Sequence, residues 1–82
     1  MFEVLLKKQA RKFLDKLPEP HRGKLDLAIK GLEELSGDIC PLRGAGRNMY
    51  RLKIYHYRAI FEIDLEKGIV TVKEINTRGD IY

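Results

Sequence analysis

The stretch Tyr50-Arg51-Leu52-Lys53-Ile54-Tyr55-His56-Tyr57-Arg58-Ala59-Ile60-Phe61-Glu62-Ile63 decides the fold. Tyr50, Leu52 and Ile54 alternate with Arg51 and Lys53. Tyr57, Ala59, Phe61, Ile63 and Leu65 then alternate with Arg58, Ile60, Glu62 and Asp64. A period of two marks strands with one buried and one open face. His56 falls at the corner between the runs, which pair through a tight hairpin. If the apolar set packs inward, Arg51, Lys53 and Arg58 emerge together on the opposite face as lateral neighbours.

Downstream, Glu66-Lys67-Gly68 predicts a second hairpin connection, with glycine at the left-handed position, and residues 69–76 give a further strand. Upstream, Phe2, Val4 and Leu6 alternate as a short first strand. The period then lengthens. Ala10, Phe13, Leu14 and Leu17 form one apolar stripe on a helix over about residues 8–17. Pro18-Glu19-Pro20 ends it, and Pro20 can open a second helix. Leu25, Ala28, Ile29, Leu32 and Leu35 bury one side of that helix, with Gly37 as its C-terminal residue. Residues 39–48 read as a loop from their glycine and proline content. The expected architecture is α+β: an N-terminal strand and a two-helix hairpin packed on an antiparallel sheet.

Eighty-two residues make one small domain, with 44% hydrophobic and 34% charged residues in a globular balance. The lone Cys40 allows no intramolecular disulfide. No apolar run approaches the roughly 20 residues of a membrane helix, and the N-terminus lacks signal-peptide character. A soluble cytoplasmic protein is expected, with no membrane association.

The formal charge is +4, which favours an anionic partner. Residues 42–82 carry eight cations and five anions, against eight and seven in residues 1–41. Arg43, Arg47, Arg51, Lys53 and Arg58 fall within seventeen residues that contain no acid. Like charges brought close on a sheet repel. Edge protection against aggregation would also use Lys and Arg, but it does not require an acid-free stretch. A polyanion site accounts for both features.

Familiar catalytic sets are missing: no HExxH, no CxxC, no P-loop, and Ser36 is the only serine. Gly44-Ala45-Gly46 has no preceding strand to make it a nucleotide fingerprint. His21 and His56 read as surface histidines, and Arg78-Gly79-Asp80 as a chance match to an adhesion tripeptide. No metal or cofactor is expected. One chemistry suits Arg, Lys and Tyr alone, because RNA carries its own nucleophile in the 2′-hydroxyl. The protein then aligns the attack, neutralises charge developing on phosphorus and assists proton transfer. Arginine gives bidentate phosphate contacts, and exposed aromatics stack on unpaired bases.

Four pieces together carry a family resemblance: Leu42-Arg43-Gly44, Tyr50-Arg51-Leu52-Lys53-Ile54, Tyr57-Arg58-Ala59-Ile60-Phe61-Glu62-Ile63, and Arg78-Gly79-Asp80-Ile81-Tyr82. With the helical hairpin before them, they resemble the RelE/ParE superfamily of toxin–antitoxin toxins across essentially the whole chain. The resemblance implies a microbial RNase-like fold in one domain over residues 1–82. For the RelE branch it implies a ribosome-dependent mRNA endoribonuclease that leaves a 2′,3′-cyclic phosphate and inhibits translation. Arg58, Arg78, Tyr82 and Lys53 then match catalytic positions, and Arg43, Arg47, Arg51 and His56 match RNA-binding ones. Arg51 stands where some members have lysine, and arginine does not exchange a proton in proteins. His56 replaces a small residue, and the sequence ends on Tyr82 without a further helix. The implied partners are the ribosome, mRNA and a cognate antitoxin presenting an acidic, amphipathic segment. A ParE-like gyrase poison without RNase activity, or an inactive nucleic-acid-binding relic, are the alternatives.

Overall fold

The computed structural model describes residues 1–44, 46 and 48–77. Five strands form one sheet: β1 (Glu3–Leu6), β2 (Asp38–Pro41), β3 (Met49–Ile54), β4 (Tyr57–Asp64) and β5 (Ile69–Thr77). Their order across the sheet is β1-β5-β4-β3-β2. Strands β3, β4 and β5 are the expected antiparallel meander, while β1 adds parallel to β5 after the chain has crossed through the helices. Helices α1 (Lys8–Lys16) and α2 (His21–Lys30) lie between β1 and β2 in sequence.

All the helical structure packs on one face. Ala10 and Leu14 of α1, and Leu25 and Ile29 of α2, meet Leu52, Ile54, Ala59, Phe61, Ile63, Val70, Val72 and Ile75 from the sheet. Phe61 is completely buried and its ring stacks on Tyr50, 5.7 Å between centroids. The opposite sheet face carries no helix among the described residues.

Three local features differ from the sequence-based expectation. The second helix does not run on to Leu35 but tightens into a 3₁₀ turn over Gly31–Glu34. Leu35, not Gly37, takes the left-handed position (φ 52°), and the Ser36 amide closes the end by donating to Gly31 O at 3.0 Å. Leu35 tolerates this because its side chain packs against the core. Gly37 is needed for another reason: a Cβ there would meet Leu52 Cδ1 at 2.8 Å. The supposed loop over residues 39–48 begins with a strand, β2, that pairs with β3. Four residues ending in proline give little periodic signal, and proline is tolerated in an edge strand. By contrast, Gly68 does hold the left-handed position in the β4–β5 connection (φ 66°).

The third difference is a β-bulge. Phe61 pairs with Val72 but Ile60 pairs with Glu74, so Lys73 is an extra residue in β5. Beyond it the parity reverses: Ile75 enters the core, and Glu74 and Asn76 move to the open face. Strand β1 has already ended opposite Val72, so Ile75 has no strand on that side. Gln9 of α1 takes the strand's place. Its Nε2 donates to Ile75 O at 3.0 Å, and its Oε1 accepts from Ile75 N at 2.8 Å. Gln9→Ala is expected to cost about 1 kcal/mol in urea unfolding, since both backbone groups lose their partner. Lys12→Ala on the same helix should change stability little, and equal behaviour of the two variants would contradict this account.

Candidate nucleic-acid interface

The β3–β4 register sets the open face. Leu52 faces Ala59 in the core layer, so Lys53 stands directly opposite Arg58, and Arg51 opposite Ile60. The β4–β5 pairing continues both rows, with Asn76 beside Arg58 and Glu74 beside Ile60. On the other side β2 sets Asp38 beside Lys53 and Cys40 beside Arg51. Two rows therefore cross the sheet: Asp38–Lys53–Arg58–Asn76 and Cys40–Arg51–Ile60–Glu74. Residues directly opposite in such a pair hold their Cβ atoms about 4.5–5.5 Å apart.

Arg51, Lys53 and Arg58 are all half-buried. The Nε atoms of both arginines are fully covered, so their stems lie along the sheet rather than extending freely into solvent. Ile60, the apolar residue between them, is only 8% exposed although it points away from the main core. Packed stems of this kind restrict where the guanidinium groups can go, which favours directed contacts over a diffuse basic surface.

The structure thus brings together Arg51, Lys53 and Arg58. His56 lies in the adjoining Tyr55–His56 turn and is exposed. Arg43 follows β2 at the opposite end of β3, roughly 15 Å along the strand at the usual rise per residue. Arg47, Arg78 and Tyr82 lie outside the described residues. Chain order conceals part of the charge pattern. The cationic stretch is free of acids in sequence, but in space Asp38 and Glu74 flank it from neighbouring strands. Glu74 Oε1 accepts from Asn76 Nδ2 at 3.0 Å, and Glu62 forms an ion pair with Lys73 at 3.4 Å. A groove of about 500 Å³ bounded by Leu5, Lys7, Arg11, Glu62, Thr71 and Lys73 lies along β1 and β5, away from the Lys53–Arg58 pair.

Behind the turn, Tyr57 packs toward the helices, with its ring edge-on to Phe13 at 5.9 Å and His21 at 6.1 Å. His21 is therefore part of a structural aromatic cluster. Asn76, Asp38 and Glu74 are neighbours of the cations that chain-order reasoning missed. The spacing of three between Val72 and Ile75 was the available signal for two of them. Among the described residues, no three His, Cys, Asp or Glu side chains come together as a metal site, and no helix is long and apolar enough to cross a membrane.

A helical layer on one face of a five-stranded sheet, with cations gathered on the other, is the architecture of the RelE/ParE toxins. Over residues 4–82 the sequence matches the family described as ParE toxin of type II toxin-antitoxin system, parDE. The chain belongs to that family and is the toxin of a toxin–antitoxin system. No curated protein sequence matches. Solved structures are similar along nearly the full length. The archaeal RelE–RelB complex from Pyrococcus horikoshii OT3 has a TM-score of 0.78 at 25% identity, covering 95% of this chain and 96% of that one. The RelBE2 toxin–antitoxin complex from Mycobacterium tuberculosis gives 0.78 at 25%, covering 94% and 98%. The isolated E. coli RelE toxin gives 0.79 at 22%, covering 94% and 84%, and shares the fold.

Asp38 is the one acid in the Asp38–Lys53–Arg58–Asn76 row, where it offsets part of the Lys53–Arg58 repulsion. Asp38→Asn should lower stability by about 0.2–1 kcal/mol at low ionic strength. Because the charges are solvent-accessible, the loss should fade when unfolding is repeated in about 0.5 M salt. A neutral or stabilising effect at low salt would show that the two cations do not feel each other.

Proposed function

We propose that this toxin is a ribosome-dependent mRNA endoribonuclease that arrests translation. The observation that carries the reading is the Lys53–Arg58 pair, two cations fixed opposite each other on an open sheet face with Arg51 one row away. Like charges in that relation destabilise the sheet, and an RNA phosphate between them converts the repulsion into attraction. The likeness to RelE structures at 25% identity supports the same reading.

In this mechanism Arg58 and Arg51 bind the scissile phosphate and neutralise charge as the 2′-oxygen attacks phosphorus. Lys53 assists from the adjacent position, and His56 and Arg43 contact flanking RNA. Arg47 belongs to the same RNA-binding set. Arg78 and Tyr82 complete the catalytic set by family position, with Arg78 at the leaving group and Tyr82 as base or stacking surface. Residues 1–82 act as one domain. Its partner is an antitoxin whose acidic, amphipathic segment complements the +4 charge, as the neighbours crystallised with RelB illustrate.

A second reading is favoured by the family match itself, since the family is named for ParE. In that reading the toxin binds DNA gyrase and cuts nothing. The two separate in one parallel experiment: mRNA on purified ribosomes against gyrase supercoiling. The RNase reading expects site-specific mRNA cuts and undisturbed supercoiling. Arg58→Ala should lower cleavage by about 10²–10³-fold, the usual loss for one charge-stabilising group, while the fold survives. Cleavage undiminished in that variant would remove Arg58 from its role, and inhibited supercoiling without cleavage would establish the second reading.

A further inference from the structure

The turn that links Lys53 to Arg58 holds an aromatic residue where its backbone asks for glycine. Tyr55 is the first of two residues joining β3 to β4, and its φ is +52°. Positive φ at the first position of a two-residue hairpin is ordinarily supplied by glycine, asparagine or aspartate, and a bulky side chain there is strained. The Tyr55 side chain is nevertheless 63% exposed, so core burial does not offset the strain. A second element holds the ring instead. Lys24 of α2 places its Nζ 4.4 Å from the ring centroid, within cation–π range.

Strain retained at an exposed position is a mark of functional sites. Tyr55 lies two residues from Lys53 and three from Arg58, at the rim where the cationic row ends. An aromatic ring beside phosphate-binding cations is the usual equipment for gripping single-stranded RNA, one group taking the backbone and the other a base. We infer that Tyr55, oriented by Lys24, is a nucleobase subsite: its ring stacks on an unpaired base that flanks the phosphate held by Lys53 and Arg58. Stacking is tolerant of base identity, so the subsite positions the strand without reading its sequence. The inference rests on the RNase reading above, and it assigns to the β3–β4 turn a role separate from the chemistry.

The test is single-turnover cleavage of mRNA on programmed ribosomes by wild type, Tyr55→Gly and Tyr55→Phe, with thermal unfolding of each. Tyr55→Gly removes the ring and relieves the backbone, so its melting temperature should equal or exceed that of wild type. Its cleavage at subsaturating toxin should fall roughly ten- to a hundredfold, the loss expected for one stacked base. Tyr55→Phe should restore most of the rate. On mRNA with an abasic nucleotide beside the cut, wild type should fall to the Tyr55→Gly rate and the difference between them vanish. Cleavage by Tyr55→Gly at the wild-type rate would overturn the subsite while leaving the RNase reading intact. A slow Tyr55→Gly with a lowered melting temperature, or a deficit that persists on abasic RNA, would make Tyr55 a structural latch and also overturn it. Wild type that cuts nothing would overturn both.

Discussion

Across β3 and β4, Leu52 meets Ala59 in a layer sealed by two helices, and that buried contact is what puts Lys53 against Arg58 on the other side. Side chains alternate along a strand, so the two faces cannot be adjusted independently. A slip of one residue would turn Leu52, Ala59 and Phe61 to solvent and bury the cations, a combination the fold does not survive. The core thus supplies the force that holds two like charges together. Neither charge contributes to that force, and their mutual repulsion works against it.

The bulge at Lys73 extends this arrangement to the third strand. It lets β5 keep Val70, Val72 and Ile75 in one core although they do not share a single alternation. The same extra residue rotates Glu74 and Asn76 outward, and Asn76 becomes the neighbour of Arg58. Gln9 makes the rotated segment tenable by bonding the Ile75 backbone where β1 no longer reaches. A helix residue remote from the open face therefore helps define which groups border the cationic pair.

Much of this was legible in the sequence because hydrophobic periodicity is strong where burial is one-sided. The β3 and β4 alternation predicted both the sheet and the shared face of Arg51, Lys53 and Arg58, and the i, i+3, i+4 stripe from Ala10 to Leu17 predicted α1. Features resting on single residues or on non-local pairing were not legible. The strand Asp38–Pro41 is too short for a pattern, so the acid beside Lys53 was missed. The C-terminal turn of the second helical segment was assigned to Gly37 because glycine is the usual occupant, whereas packing allowed Leu35 to take it. Arg43, grouped with the strand cations by chain proximity, sits at the far end of β3 because the loop after β2 belongs to that end of the sheet.

The family is that of type II toxins, and the open question within it is what the cationic face acts upon. RNA is distinguished from other polyanions by the hydroxyl that attacks its own phosphate, so the most direct measurement is the chemistry at the cut. The 5′ fragment from a ribosome-bound mRNA, analysed by mass spectrometry, should end in a 2′,3′-cyclic phosphate. A single 2′-deoxynucleotide on the 5′ side of the scissile phosphate should block the cut. A fragment ending in a 3′-hydroxyl, or undiminished cutting of the deoxy-substituted strand, would contradict the account.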